Sequence, residues 1–256
     1  MSKNNTNVIS MSKNNTNAII FIIISLVSGI MAGEILATIN LLVVEPTTDK
    51  AIGYEVQRDI AKGVKVDFNQ LKDYRIWQKS GTFAAGAFIG MAYGALMGAV
   101  YFFARKYLPF SDDRKKAILL AALMYLAFYL VPFSKYPANP PSVGDIHTIT
   151  LRDHLYTSYQ IMSVIIALVM GILFFKFRKV NKISYIIPAI YIVLIASIYF
   201  IWEPNPDIIL TPMSMVNTFR ALTGATMAIF FTLIGVFFGL LWNKFKPYEP
   251  VKVTPL

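Results

Sequence analysis

The chain has no cysteine and only two histidines among its 256 residues. The missing thiol excludes disulfides, thiolate metal sites, iron–sulfur clusters and a cysteine nucleophile. Charge is also scarce. Asp, Glu, Lys and Arg make up 15% of the sequence, against about 25% in a soluble globular domain. Hydrophobic residues reach 56% and the mean hydropathy is +0.55. So few charges cannot cover the water-facing surface of a folded chain this long, which excludes a soluble enzyme, a disordered tail or a small secreted module. The pattern G-x-x-x-x-G-K-[ST] is absent, as is H-E-x-x-H, and no Ser/His/Asp constellation can be placed. The chain therefore reads as a membrane protein that is not an enzyme and does not hold nucleotide through a P-loop. The formal charge of +10 fits basic loops facing an anionic leaflet. It does not indicate a nucleic-acid partner, because no soluble face interleaves basic and aromatic residues.

What remains is long apolar runs. A spanning helix needs about 20 mostly apolar residues. Six runs qualify, at about 18–44, 81–104, 117–133, 154–175, 183–202 and 221–242. The expected fold is an all-α, polytopic bundle of about six transmembrane helices over residues 18–243, in contact with the lipid bilayer. Residues 45–80 are expected to be an extracytoplasmic loop and residues 244–256 a cytoplasmic tail. Residues 1–17 contain MSKNNTN twice, through a duplication or a second start at Met11, and are expected to be disordered. The first apolar run exceeds the 7–15 residues of a signal-peptide core, so it reads as an uncleaved helix.

Loop charges set the expected orientation. Arg105, Lys106, Arg114, Lys115 and Lys116 lie between spans 2 and 3. Lys176, Arg178, Lys179 and Lys182 lie between spans 4 and 5, and Lys244, Lys246 and Lys252 in the tail. The opposite loops carry only Lys135 and Arg152, then Arg220. Both termini are therefore expected in the cytoplasm, in the cell (plasma or inner) membrane. Segment 45–80 dissents, because it carries seven lysines and arginines yet must lie outside; it also carries Glu45, Asp49, Glu55, Asp59, Asp67 and Asp73, but the rule does not count net charge. Trp77, Trp202 and Trp242 each stand at a span end and read as an interfacial belt.

Small residues recur every fourth position. The first span has Ser25, Gly29, Gly33 and Ala37, and the second Gly86, Gly90, Gly94 and Gly98. The last has Gly235 and Gly239. Lipid supplies little hydrophobic drive between helices, so small residues that allow close approach mark the interfaces. Spans 1, 2 and 6 are expected to form the tight centre, either as packing alone or as an interface that slides.

Few polar groups stand out. Glu34 lies inside the first span, where an acid costs roughly 2.5–3.5 kcal/mol on insertion scales. It reads either as functional or as a protonated, hydrogen-bonded side chain. The connection after span 3 is stiffened by Pro132, Pro137, Pro140 and Pro141. Asp145, His147, Asp153 and His154 follow, and carboxylates with imidazoles suit first-row divalent metals. His147 and His154 are separated by about 10 Å on one continuous helix. They could share an ion only if the helix starts after His147. The alternative is capping and interfacial hydrogen bonding. The connection before span 6, Glu203-Pro-Asn-Pro-Asp207, is also proline-rich and acidic, and Arg220 is placed to pair with an acid on that side.

KYPANPPSVGD at 135–145, followed by Thr148 and the stretch Arg152-Asp-His-Leu-Tyr156, resembles the signature loop of the CbtA family. Gly29 to Gly33, the stretch Glu45…Tyr54-Glu55, the glycine ladder and Phe219-Arg220 agree with it over about residues 18–243. The resemblance implies a cobalt transporter subunit associated with cobalamin metabolism. It also implies a CbtB partner, a short single-span protein with a histidine-rich stretch. Divalent cobalt is then the expected cargo, and no permanently bound cofactor is expected. Glu34, Asp145, His147, Asp153 and His154 become the candidate metal ligands. A membrane potential of 100 mV supplies about 4.6 kcal/mol per divalent cation, so no ATPase is required on energetic grounds. The competing expectation is a structural or interaction subunit that carries nothing.

Overall fold

The computed structural model describes residues 2–141, 143–177 and 179–248, with side chains from residue 17 onward except at 146 and 181–184. Every element is helical. Helix α1 (Ser2–Ile39) runs through a π turn (Asn40–Val44) directly into α2 (Glu45–Ala61). Helix α3 is Phe68–Ala104. Helix α4 (Asp113–Tyr125), a second π turn (Leu126–Leu130) and α5 (Val131–Lys135) form one further run. A 3-10 turn (Ile146–Thr148) precedes α6 (Ile149–Phe177). Helices α7 (Asn181–Ile201) and α8 (Met213–Phe245) complete the chain. Five of the described helical runs are long and apolar enough to cross a membrane, and Tyr185–Ile201 is a shorter apolar helix.

One expectation about the ends of elements is corrected. Segment 45–80 is not a loop. It is α2 and the first turns of α3, joined at residues 62–67. Gly63 ends α2 in the left-handed conformation at φ 79°. Its N–H donates to the Ile60 carbonyl and that of Val64 to the Asp59 carbonyl, the paired bonds of a glycine-terminated helix. Asp67 then starts α3 by accepting from the N–H groups of Asn69 and Gln70 at 2.9 and 3.1 Å. Helix α1 begins at Ser2, within the polar repeat. Extending a nucleated helix costs far less than starting one.

The chain divides into two compact units. The first contains residues 1–37, 81–122 and 230–256. Here α1 and α3 meet backbone to backbone. A Cβ added at Gly29 would land on the Gly90 carbonyl, and one at Gly33 on the Gly86 carbonyl. The far half of α8 presents Phe230 and Phe231 edge-on to Tyr93, with ring centroids 5.8 and 5.2 Å away. Gly235 and Gly239 do not join the α1–α3 ladder. Cβ atoms there would meet Ala121 and Ala117 of α4 and the Arg114 backbone. Span 6 thus reaches the second span through aromatics and the third through glycines. Trp242 is no belt residue either. It is 1% exposed, packs on Tyr101 at 4.9 Å, and lies under the Arg105 guanidinium at 5.1 Å. Arg105 forms a two-point ion pair with Asp113, at 2.7 and 2.8 Å, and Tyr101 donates to the same carboxylate at 2.6 Å. The bonds to Asp113 hold the Arg105 guanidinium above its ordinary range.

The second unit contains residues 38–80 and 123–229. Tyr159, fully buried, packs edge-on to Tyr136 at 5.7 Å and to Trp202 at 5.8 Å. Ile166 and Met170 of α6 close on Ile187 of α7. The π turn at 126–130 displaces carbonyls from the regular ladder. Gln160 Nε2 donates to the Phe128 carbonyl at 2.7 Å and Ser163 Oγ to the Ala127 carbonyl at 2.9 Å. Thus α6 supplies the donors that the bulged helix lacks.

Candidate functional site

The site is built in the second unit, where the two proline-rich connections meet the ends of α6 and α8. Proline removes donors and stiffens backbone, so side chains and the few remaining N–H groups must hold these connections together. The N–H of Gly144 donates to the Ile208 carbonyl at 3.2 Å, joining one connection to the other. The Tyr136 hydroxyl donates to the Glu203 carbonyl at 2.6 Å, and Lys135 Nζ to the Tyr199 carbonyl at 2.7 Å. Burial, and then the charge of Glu203, push the Tyr136 phenol above its usual value.

Four side chains form the centre. Arg220, in the second turn of α8, donates from Nη2 and Nε to Asn139 Oδ1 at 2.7 and 3.1 Å. Asn139 Nδ2 donates in turn to Asp207 Oδ2. Asp207 Oδ1 lies 3.1 Å from Arg152 Nη1, with the carboxylate 8% exposed. That contact is an ion pair without the alignment of a hydrogen bond, since Asp207 Oδ1 and Arg152 Nε are buried with no hydrogen-bond partner. Arg152 Nη2 reaches the Asp145 carbonyl at 3.1 Å. Gly144, at φ 88°, lets the backbone pass beside this pair. A Cβ there would come within 2.8 Å of Asp207 Oδ1 and of the Arg152 guanidinium carbon. The arrangement can lock two loops to two helices, and it leaves one carboxylate oxygen incompletely satisfied in a largely dry setting.

The residues expected to bind metal are placed differently. Helix α6 starts at Ile149, so His147 lies in the preceding 3-10 turn and His154 on the helix. The stated condition for sharing an ion is met. Even so, among the described residues no three His, Asp or Glu side chains gather into a metal-holding group. Asp145 Oδ1 caps the 3-10 turn by accepting from the His147 N–H at 2.9 Å, and the Asp145 carbonyl accepts from Thr148 Oγ1 at 2.8 Å. Asp145, His147, Asp153 and His154 are all exposed. Glu34 is half-buried on α1 in the first unit, next to the Gly33 contact. Arg220 was expected to pair with an acid, but Asn139 takes it and Arg152 takes Asp207. The amide was missed as a centre because a lone asparagine in a proline loop carries no spacing signal. The one available clue was that it stands inside PANPP.

These observations define a multi-pass, all-helical membrane protein with a polar lock between two connections. The description "probable cobalt transporter subunit (CbtA)" belongs to the family that matches residues 19–243. The chain belongs to the CbtA family. No curated protein and no solved structure matches it.

Proposed function

We propose that this chain is the membrane-spanning subunit of a transporter for cobalt or a related divalent cation, serving cobalamin metabolism. One observation carries the reading beyond the family match. The residues that carry the family resemblance are scattered in sequence, yet Asn139, Gly144 and Arg152 meet at Asp207, and Arg220 joins them through Asn139. Such convergence fits a shared working part better than general bilayer packing. Asp145, His147, Asp153 and His154 offer exposed carboxylates and imidazoles for a first, labile contact with the cation. Glu34 offers a transient site within the membrane, where an acid is otherwise costly. Loose binding suits transport, because the ion must also leave. A small histidine-rich, single-span CbtB-like partner supplies the remaining ligands, in keeping with the family's description as a subunit. The termini face the cytoplasm across the plasma membrane, as the loop lysines and arginines favour, and the membrane potential drives entry.

The test is uptake of radiolabelled cobalt into proteoliposomes of the purified chain under an inside-negative potential, with nickel as competitor, without and then with the partner. Uptake that falls in Glu34→Gln while the protein stays folded supports the reading. Folded protein that shows no uptake under either condition overturns it. A non-transporting structural subunit is then the better account, and the lack of a gathered ligand set among the described residues favours that second reading.

A further inference from the structure

We infer that a groove between α2 and the start of α8 binds the phosphate-bearing headgroup of an anionic phospholipid. This inference is independent of the cargo assigned above. The groove encloses about 440 Å³ and is lined by Thr47, Lys50, Gly53, Tyr54 and Gln57 of α2 with Ser214, Met215 and Thr218 of α8. All of these residues belong to the second unit.

Three observations fix the ligand class. The first is charge. The lining contains one lysine and no acid, so it repels a metal cation and attracts an anion. Two α2 carboxylates near Lys50 are engaged by α3: Arg75 pairs with Glu45, and Arg75 and Lys79 hold Asp49 at 3.0 and 2.8 Å, while Glu55 and Asp59 are not among the lining residues. Among the described residues Lys50 has no carboxylate partner. The second is the hydrogen-bonding set. Thr47, Tyr54, Ser214 and the Gln57 amide line the same groove as Lys50 and can donate to phosphate oxygens, while the Thr218 hydroxyl donates to the Ser214 carbonyl at 2.9 Å. Ser214 stands in the first turn of α8, whose positive dipole end favours negative charge.

The third is depth. Lys50 lies six residues past the first apolar run, which ends at Val44, or about 9 Å along a helix. Ser214 and Thr218 lie seven and three residues before the last apolar run begins at Ala221, about 10 and 5 Å. The headgroup layer occupies roughly the 5–8 Å beyond each face of the hydrocarbon core. Thr47 and Thr218, each three residues or about 5 Å beyond its run, thus place the near end of the groove at the headgroup layer, and Lys50 and Ser214 stand at its outer edge, within reach of lipid phosphates. Tyr54, 41% exposed, has the amphipathic character of that layer.

Gly53 provides a clean probe. A Cβ there meets nothing within 4 Å, so a larger side chain starts from open space at the groove wall. Glycine is also a poor helix residue, so its replacement does not weaken α2. The experiment is native mass spectrometry of the full chain in detergent, titrated with phosphatidylglycerol, phosphatidylcholine or inorganic phosphate. Wild type should retain phosphatidylglycerol in preference to phosphatidylcholine. Retention should fall about fivefold in Lys50→Gln, the effect of one lysine at an anionic surface, and also fall in Gly53→Leu. Lys72→Gln, which alters an exposed lysine outside the groove, should match wild type. Equal retention by all four proteins overturns the inference. Lys50-dependent binding of inorganic phosphate without lipid retention overturns the lipid assignment in favour of a free-anion site.

Discussion

Arg220 is held by Asn139, not by a carboxylate. Its guanidinium donates to Asn139 Oδ1 at 2.7 and 3.1 Å, while the other end of the same amide donates to Asp207. One neutral side chain therefore connects a cation at the head of α8 to an anion in the preceding connection. An amide suits this role because its oxygen accepts while its nitrogen donates.

Asn139→Ala should accordingly lower stability by about 1.5–3 kcal/mol, the range for hydrogen bonds to charged groups. Asn139→Asp should not rescue it, because the new carboxylate would satisfy Arg220 and repel Asp207. Thermal unfolding in detergent checks both, and a melting temperature equal to wild type in Asn139→Ala would sink the lock.

Gly144→Ala faces two penalties. Its φ of 88° is costly for any side chain, on the order of 1–3 kcal/mol, and the added methyl crowds Arg152 and Asp207. Gly63→Ala shares the backbone penalty at φ 79° but meets nothing within 4 Å. The two should therefore differ, with Gly144→Ala the less stable in parallel unfolding curves. Equal losses would mean that the ion pair yields to the methyl without cost.

Gly90→Ala drives a methyl onto the Gly29 carbonyl. Overpacking costs about 1–3 kcal/mol and occasionally more, and rigid backbone on both sides places this site at the high end. Gly171→Ala, on α6 with open space around it, should be neutral or slightly stabilising. The yield of monodisperse protein after extraction separates them, and comparable yields would show that α1 and α3 can part at low cost.

Ser163→Ala removes the donor that satisfies the Ala127 carbonyl at the π turn. Hydrogen bonds between membrane helices average about 0.6 kcal/mol, with a maximum near 1.7. The buried and otherwise bulged carbonyl argues for the upper part of that range. The double variant with Gln160→Ala should lose more than the sum of the two, because the bulge then has neither α6 donor. Simple additivity in a double-mutant cycle would show that the two carbonyls are satisfied separately.

Much of the architecture was legible in the chain. Lipid demands about 20 apolar residues for each crossing, and all six runs are helical where expected. The four-residue glycine spacing marked the faces at which α1 and α3 touch. The ends of the helices were read too short. Gly63 and Asp67 carry ordinary stop and start signals, but the charges around them made 45–80 look like a loop. Polar sequence does not stop a helix when salt bridges such as Lys79–Asp49 join neighbouring helical turns across a hairpin.

Apolar run length and small-residue spacing are local quantities, and they suffice for the number of helices and for one packed face, because membrane insertion and close approach act on each helix separately. The partnership of Asn139, Arg152, Asp207 and Arg220 is different in kind. Arg220 and Asp207 stand 81 and 68 residues from the asparagine that joins them, and no spacing rule connects such positions. Packing of the helices brings them together, as it buries Trp242 beneath Arg105 instead of leaving it at the interface. A polar group in a low-dielectric setting must find a partner, but which partner it meets depends on where the whole chain has placed the others.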